Sequence, residues 1–175
     1  MTGTHVTLEA VDGAVAVIEV PFPPLEGHRV ADLLAHVKRE RRVGVLLVRR
    51  SGFAAGVFAG ERLVASKVDS TYVQGTTKAG GWSQQRYARR RANQANHAFA
   101  EAADVAARIL AAEHLDAVVA GGDRDAVRQV LTDRRLTHLD PLLTGPWLTV
   151  KDPKLKNLAA MPEQFLAVRV EITDP

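Results

Sequence analysis

The sequence predicts an α/β domain with a mixed β-sheet flanked by helices, and two features of its pattern carry that prediction. Short apolar stretches separated by glycine-containing turns fill the first part of the chain, as is typical of strands. Further along, segments with helical spacing alternate with short apolar runs, an order typical of a sheet covered by helices. The length of 175 residues, of which 46% are hydrophobic and 25% charged, fits one folded domain spanning residues 1–175.

The N-terminal part predicts a hairpin, a helix and a meander. Alternating residues around Asp12-Gly13 in HVTLEAVDGAVAVIEVP predict the hairpin, because Asp-Gly favours a tight turn. Apolar residues at helical spacing predict a helix in GHRVADLLAHVKRERR: Val30, Leu33, Leu34 and Val37. From Val43 to Val73 three apolar stretches predict strands, with Gly60 at the second turn.

A long helix is predicted from Ser83 to about His114, where neither glycine nor proline interrupts an alanine-rich chain. Its second half carries small and apolar residues on one stripe suited to packing on a sheet: Phe99, Ala103, Ala106, Ala107 and Leu110. Its first half is a block of arginines with little apolar surface to bury. We therefore expect the first turns of the helix to project beyond the core.

The C-terminal part predicts four further elements. LDAVVAGG is typical of a short strand, and DRDAVRQVLTDRR of a helix capped near Asp123. The segment AGGDRD could also offer backbone N–H groups to a phosphate, but the Asp123 side chain favours a plain strand-to-helix turn. A short helix in PKLKNLAAM and a last strand in QFLAVRVEI complete the prediction.

Positive charge is concentrated around the start of the long helix. From Ser70 to Ala100 the sequence has five lysines and arginines and no aspartate or glutamate. Since the whole chain carries a net charge of only +3, the remainder is net negative. This distribution favours a polyanion such as RNA as a partner, although a solvated helix face is the simpler alternative.

Several classes of site find no support in the sequence. No apolar run approaches the about 20 residues of a membrane span, and the N-terminus lacks signal-peptide features, so we expect a cytoplasmic protein with no membrane partner. With no cysteine and no closely spaced histidine pair, we expect neither a metal site nor a cofactor. The segment GTTKAGG lacks the order of a P-loop, and Ser83 lacks the G-x-S-x-G context of a hydrolase nucleophile.

The segment TTKAGGWSQQRYARRRANQ, from Thr76 to Gln94, combines a glycine-rich loop, a glutamine pair and the arginine block. Glycines allow the backbone to approach a partner closely. A glutamine amide donates and accepts hydrogen bonds without ionising, which suits it to orient a water or to stabilise an oxyanion. Arginines grip phosphates and can deliver the loop to an adjacent bond. The combination predicts a positioning catalyst that acts on a group attached to RNA.

At these residues the sequence resembles the catalytic domain of eukaryotic and archaeal class I release factors. It resembles more closely the VMS-like release factor family of peptidyl-tRNA hydrolases, which has an actinobacterial branch. GGWSQQRYARRRANQANHAF carries the resemblance, with GVLLVRRSGFAAGVFAGERLV before it and LDAVVAGG after it. The similarity covers roughly Val43 to Leu131. It implies a ribonuclease-H-like fold of the kind found in the middle domain of release factors.

The resemblance further implies a ribosome-associated hydrolase that releases nascent chains from tRNA on stalled large ribosomal subunits, in ribosome rescue and quality control. Its implied partners are peptidyl-tRNA and the rRNA of the peptidyl-transferase centre, and we expect the protein to be monomeric off the ribosome. The implied catalytic residues belong to one loop: Gly80, Gly81, Ser83, Gln84 and Gln85. The implied RNA-binding residues flank and follow it: Lys78, Trp82, Arg86, Arg89, Arg90 and Arg91.

The loop departs from the release-factor pattern at one position. Aligned without a gap, the glycine pair puts Trp82 where the GGQ motif of release factors has its glutamine. Five later positions still correspond: Ser83, Arg86, Ala88, Arg89 and Arg91. The VMS-like pattern is nearer GGSQ, which Ser83-Gln84 restores if Trp82 is an insertion. Gln84 is then the favoured catalytic glutamine and Gln85 the second choice, while Trp82 could stack on a nucleobase or pack the loop against the domain.

Three alternatives stand beside ester hydrolysis. Some members of the wider family resemble nucleases that cut near the tRNA 3′ end and release the peptide with a nucleotide remnant. The chain could instead be a noncatalytic tRNA- or rRNA-binding module, in which the arginines bind and the glutamines only contact RNA. It could also be a structural relative without activity.

Overall fold

The computed structural model of the protein describes residues 3–27, 29–70 and 83–175, and in the helix that begins at Ser83 it describes the side chains at position 94 and from position 96 onward. The elements, in chain order, are β1 (His5–Glu9), β2 (Val15–Glu19), α1 (Val30–Lys38), β3 (Arg42–Arg49), β4 (Gly52–Ala59), β5 (Arg62–Ser70), α2 (Ser83–Ile109), β6 (Ala117–Gly122), α3 (Arg124–Leu131), a 3-10 helix (Thr137–Leu142), α4 (Leu155–Ala159), α5 (Pro162–Phe165) and β7 (Val170–Thr173). The predicted α/β class is confirmed.

A four-stranded mixed sheet in the order β5-β4-β3-β6 forms the main sheet. β3, β4 and β5 are the predicted antiparallel meander, and β6 is added parallel to β3. Gly60 makes the turn between β4 and β5 with a φ of 59°, a left-handed value that glycine adopts without strain. The last three positions of the predicted meander, 71–73, lie outside the described residues.

Both faces of the main sheet are covered. On one face Leu46 packs with Ala106 of α2 and Val127 of α3. On the other face Leu47 packs in a core with Phe165 of α5 and with α4, the short helix predicted in PKLKNLAAM. Because β3 and β4 are buried on both faces, their side chains form near-continuous apolar runs instead of alternating with polar ones.

The hairpin predicted around Asp12-Gly13 forms a second, antiparallel sheet with the last strand, in the order β1-β2-β7. The structure thus adds a small sheet to the one mixed sheet expected from the sequence. α1 packs Leu33 against this sheet in a core with Val6 and Val20. Leu34, which helical spacing places on the same apolar face of α1, is instead exposed.

The C-terminal strand is shorter than predicted. The sequence predicts a strand throughout QFLAVRVEI, but the first two residues of this segment belong to α5, and β7 begins only at Val170. Pro162 starts α5, where a backbone N–H would have no helical partner. The Phe165 ring packs edge-on against the rings of Phe22 and Phe58, with centroid distances of 6.3 and 5.4 Å. This aromatic contact holds α5 on the main sheet, so the strand starts after it.

α3 begins as predicted. The carboxylate of Asp123 accepts hydrogen bonds from the N–H groups of Asp125 and Ala126, both at 3.1 Å, so a side chain of the protein itself fills the cap. Gly122 precedes it with a φ of 90°, and a Cβ at this position would collide with the carbonyl oxygen of Val48. The plain strand-to-helix turn is confirmed, because packing against β3 accounts for this glycine of AGGDRD.

Candidate nucleic-acid interface

One end of the main sheet gathers the ends of three strands and the start of a fourth. Arg49, the last residue of β3, pairs with Gly52 at the start of β4, and Gly52 pairs with Ser70, the last residue of β5. On the other side of β3, Val48 pairs with Gly122, the last residue of β6. We call this end of the sheet, defined by Arg49, Gly52, Ser70 and Gly122, the loop end. The segment that joins β5 to α2 therefore leaves the sheet at the loop end.

α2 packs its second half on the main sheet. The buried side chains include members of the predicted stripe and two neighbours that widen it: Ala102, Ala103, Val105, Ala106 and Leu110. Phe99 and Ala107, the other predicted members, are half-buried against the same core. The helix ends at Ile109, earlier than the predicted His114, because the chain turns there to enter β6.

α2 runs from the loop end toward the opposite end of the sheet. Leu110, just after the helix, lies beside Gly44 near the start of β3, where a Cβ would stand 3.3 Å from the Leu110 side chain. From Gly44 to the loop end β3 spans about 17 Å, and the part of α2 from Ala98 to Ile109 spans about 18 Å. Among the described side chains, burial in α2 begins at Ala98. α2 therefore passes the loop end near Ala98.

The N-terminal half of α2 continues beyond that point. From Ser83 to His97 the helix adds about 22 Å at about 1.5 Å per residue. Three of its side chains are described and all three are exposed: Gln94, Asn96 and His97. The expectation that the arginine-bearing turns project beyond the core agrees with this geometry.

Seven of the predicted site residues lie on α2. Ser83 is its first residue, Gln84 and Gln85 follow in the first turn, and the arginines occupy the next turns: Arg86, Arg89, Arg90 and Arg91. Arg86, Arg89 and Arg90 precede the packed half of the helix by about two to four turns. The remaining predicted residues lie outside the described part of the chain: Lys78, Gly80, Gly81 and Trp82.

The acidic residues of α2 are confined to its packed half. The first is Glu101, whose carboxylate lies 3.4 Å from the ring nitrogen of His97. The next is Asp104, which pairs with Arg135 at 2.7 Å. No aspartate or glutamate precedes Glu101 on the helix, so the arginines have no acidic neighbour three or four residues away to neutralise them. The N-terminal half of α2 is thus a cationic helix without an acid of its own.

Asp133 joins the ion pair that anchors the packed half. A hydrogen bond from the Arg135 side chain, reinforced by the Arg135 backbone N–H, lowers the pKa of the Asp133 carboxyl to about 2. The hydrogen bonds to Asp133 and Asp104 in turn raise the pKa of Arg135. Asp133 and Arg135 are therefore oppositely charged at neutral pH, and Arg135 is paired with carboxylates instead of adding to the charge of the cationic helix.

No helix within the described residues is long and apolar enough to cross a membrane. In the same part of the chain no three histidine, cysteine, aspartate or glutamate side chains cluster closely enough to hold a metal ion. The groups that the candidate interface itself contributes are the guanidinium, amide and hydroxyl groups of the first turns of α2.

A cleft of about 660 Å³ opens between α3 and the segment 137–147. Arg124 and Arg128 line it from α3, and Trp147 lines the facing wall. The guanidinium of Arg124 lies over the Trp147 ring, 4.4 Å from its centroid. The two arginines are four residues apart and share a face of α3, which the sequence could have indicated. Trp147 reaches them only through the fold, so no sequence signal indicates the cleft.

The fold has a counterpart among solved structures. The chain is similar to the crystal structure of an archaeal translation termination factor, aRF1, with a TM-score of 0.53 and 18% sequence identity. The similarity covers 91% of this chain and 50% of that one, so the chain spans about half the length of the archaeal factor. A structure described as an archaeal protein is similar with a TM-score of 0.44 and 15% identity, over 91% of this chain and 52% of its own.

The family follows from the sequence match. The family model of the Actinobacteria/chloroflexi VLRF1 release factor matches residues 41–171, and the chain belongs to this family. No curated protein sequence matches the chain. The resemblance seen at GGWSQQRYARRRANQANHAF is confirmed, and the family match extends it toward the C-terminus.

Proposed function

We propose that the protein is a ribosome-associated peptidyl-tRNA hydrolase that releases nascent chains from tRNA on stalled large ribosomal subunits. The observation that carries the proposal is the acid-free, arginine-bearing half of α2, which extends past the loop end and is joined directly to the glycine–glutamine loop. Membership of a release factor family supports a translational role for it. We propose one catalytic domain over residues 1–175, monomeric in the cytoplasm when off the ribosome.

The arginines supply affinity for RNA in this proposal. Arg86, Arg89 and Arg90 belong to the half of α2 that precedes the packed positions, so a phosphate backbone can approach this half without displacing the packed one. Guanidinium groups bind phosphates through charge-assisted hydrogen bonds, and they carry no sequence preference of their own. This mode of binding suits tRNA and rRNA as partners. Other contacts set their positions on the ribosome, so the arginines need to recognise only the phosphate backbone.

The glutamine supplies hydrogen bonds at the reacting ester. Attack of water on the ester carbonyl places negative charge on its oxygen, and donors aimed at that oxygen lower the barrier. Gln84 belongs to the first turn of α2, where the backbone N–H groups have no partner within the helix. In this proposal the Gln84 amide, the N–H groups of this turn and the Ser83 hydroxyl serve as the donors for the oxyanion and the attacking water.

A release assay with paired glutamine variants tests this proposal. Stalled large subunits carrying peptidyl-tRNA are incubated with the protein, and the rate of peptide release is compared with that of the Gln84→Ala/Gln85→Ala variant. We expect the variant to lose at least about 10²-fold in rate, the usual effect of removing an oxyanion donor, while it still binds the subunit. Gln94→Ala is the matched control, because Gln94 is an exposed glutamine of the same helix, and it should release normally.

The same assay separates the alternatives. A noncatalytic RNA-binding module would bind the subunit without releasing peptide, and an inactive structural relative would release none under any condition. Unchanged release by the double glutamine variant would overturn the catalytic assignment.

A further inference from the structure

We infer that the cleft beside α3 binds an unpaired RNA nucleotide, which gives the protein a second RNA contact apart from the arginines of α2. The inference rests on the proposed function only in taking RNA as the partner. Its ligand chemistry comes from the cleft itself, where two arginines, one tryptophan and an apolar floor lie together.

The two arginines of the cleft are available for a phosphate. Arg128 has one acidic neighbour, Asp125, at 3.4 Å, and the two side chains are 75% and 94% exposed, so this pair contributes little. Within the described residues no carboxylate lies in ion-pair distance of Arg124, whose guanidinium instead lies over the Trp147 ring. Since Arg124 and Arg128 share a face of α3, one phosphate group can contact both.

Trp147 and the floor of the cleft suit a nucleobase. The indole N–H of Trp147 donates to the carbonyl oxygen of Gly122 at 3.0 Å, which fixes the ring while leaving it half-buried at the cleft wall. Ala120, Val127 and Leu131 provide apolar surface beside it. The Arg124 guanidinium lies over this ring, so a base stacks on Trp147 by taking its place, and the guanidinium then turns to the phosphate. Such stacking tolerates any base.

An unpaired nucleotide fits the cleft better than an acidic peptide. Asp140 also lines the cleft, and its carboxylate would repel a second anion. A ligand must therefore turn an uncharged group toward it, which the base of a nucleotide can do and an aspartate or glutamate side chain cannot. The same carboxylate can accept a hydrogen bond from the amino group of a base. The arginines of α3 then bind the phosphate of the nucleotide, and Trp147 binds its base.

The cleft lies where RNA bound at the loop end would reach it. Arg49, at the end of β3, packs against Gly122, and α3 begins two residues after Gly122 with Arg124. Arg49, Arg124 and Arg128 thus lie along the way from the loop end to the cleft, with Asp123 and Asp125 beside them. RNA held by the arginines of α2 can reach the cleft with an unpaired nucleotide, because α3 packs on the same face of the main sheet as α2.

Tryptophan fluorescence tests the inference. The chain has two tryptophans, so Trp82→Phe leaves Trp147 as the only emitter. Hexaadenylate RNA is titrated into this variant, and we expect saturable quenching of Trp147 emission. Adding Arg124→Gln and Arg128→Gln should weaken the quenching titration about tenfold. Arg134→Gln is the control, because Arg134 is exposed and does not line the cleft, and it should leave the titration unchanged.

Three outcomes would overturn the inference. The first is no change in Trp147 emission at saturating RNA. The second is a weakening of the titration by Arg134→Gln equal to that by the cleft arginine variant. The third is quenching by a hexaglutamate peptide equal to that by RNA. Peptide release is measured separately with the cleft arginine variants in the natural Trp82 background. Absence of quenching in the variant that keeps both cleft arginines, together with normal release by the unaltered protein, counts against the cleft alone. Quenching without any release counts against the proposed hydrolase alone.

Discussion

At the scale of single residues, the central distinction lies between two adjacent glutamines. Gln84 restores the order of the VMS-like pattern when Trp82 is treated as an insertion, and Gln85 does not. We expect Gln84→Ala alone to reduce peptide release by at least about 10²-fold and Gln85→Ala to reduce it by less than about tenfold. Single-turnover release from stalled large subunits measures both. The reverse order of the two effects would assign the catalytic amide to Gln85.

Gly122 is a residue whose identity follows from the fold. Its φ of 90° lies in the left-handed region, and a Cβ would meet the carbonyl oxygen of Val48. We expect Gly122→Ala to lower the free energy of unfolding by about 2–4 kcal/mol, from backbone strain and overpacking together. Denaturant titration measures this change.

Gly60→Ala is the matched comparison for that prediction. Gly60 also has a positive φ, of 59°, but the atoms nearest to a Cβ there are 3.8 Å away. Only the backbone strain applies to Gly60→Ala, so we expect its free energy of unfolding to decrease by about 1 kcal/mol. Equal decreases at the two glycines would show that the contact with Val48 adds nothing to the strain.

At the scale of elements, α2 joins two different halves in one continuous helix. Its packed half holds the helix on the sheet, and its cationic half is free of acids. We expect Arg86→Gln/Arg89→Gln/Arg90→Gln to weaken binding to the large subunit and to lower the slope of log affinity against log salt by about 0.7–0.9 for each phosphate that the variant no longer neutralises. Binding measured over a series of salt concentrations gives that slope.

Arg108→Gln is the control for the arginine variants. Arg108 is an exposed arginine of the same helix, and its guanidinium donates to the carbonyl oxygen of Asp104 in the packed half. For Arg108→Gln, the slope of log affinity against log salt should equal that of the unaltered protein. A similar decrease for Arg108→Gln would mean that α2 binds RNA along its whole length.

The ion pair between Asp133 and Arg135, in the segment that follows α3, predicts a defined dependence on pH. The folded-state pKa of Asp133 is lowered to about 2 from an ordinary 3.8, so its contribution to stability is fully present above about pH 4 and is lost as the pH falls toward 2. We expect the melting temperature of Asp133→Asn to lie below that of the unaltered protein from pH 5 to 7, and the difference to close between about pH 4 and 2. A difference that stays constant down to pH 2 would contradict the pairing with Arg135.

The elements show how far the sequence alone predicts this fold. Local signals are sufficient for the meander with its turn at Gly60 and for the cap at Asp123, because a turn or a cap depends on neighbouring residues. The pairing of β7 with β2 is not predicted, since partners at opposite ends of a chain leave no local pattern. The prediction of a strand at α5 is wrong because Phe165 is held by ring contacts with Phe22 and Phe58, which the sequence does not reveal.

At the scale of the whole molecule, Arg41 links the two sheets. It is buried just before β3, donates to the carbonyl oxygens of His36 and Arg39 at the end of α1, and lies 5.2 Å from the centroid of the Phe22 ring. Burial lowers the pKa of its guanidinium, which these partners nevertheless satisfy with hydrogen bonds. The small sheet with α1 is thereby joined to the main sheet, and the matched family region begins at this residue.

The sequence predicts which residues form the candidate site, but it does not predict how the fold arranges them. The glutamines and arginines stand out as one continuous segment, so a sequence pattern finds them together. The gathering of β3, β5 and β6 at the loop end depends on strand register, and the stacking of Arg124 on Trp147 depends on the path of the chain after α3. Contacts of this kind are set by packing over long sequence separations.

The central claim, hydrolysis of the peptidyl-tRNA ester, is tested most directly at the tRNA end. Stalled large subunits carrying peptidyl-tRNA are incubated with the purified protein, and the 3′ end of the released tRNA is mapped at single-nucleotide resolution. The proposed mechanism predicts full-length tRNA with an intact terminal adenosine, formed at the same rate as free peptide. A shortened tRNA, with a nucleotide remnant on the peptide, would contradict ester hydrolysis and identify a nuclease instead.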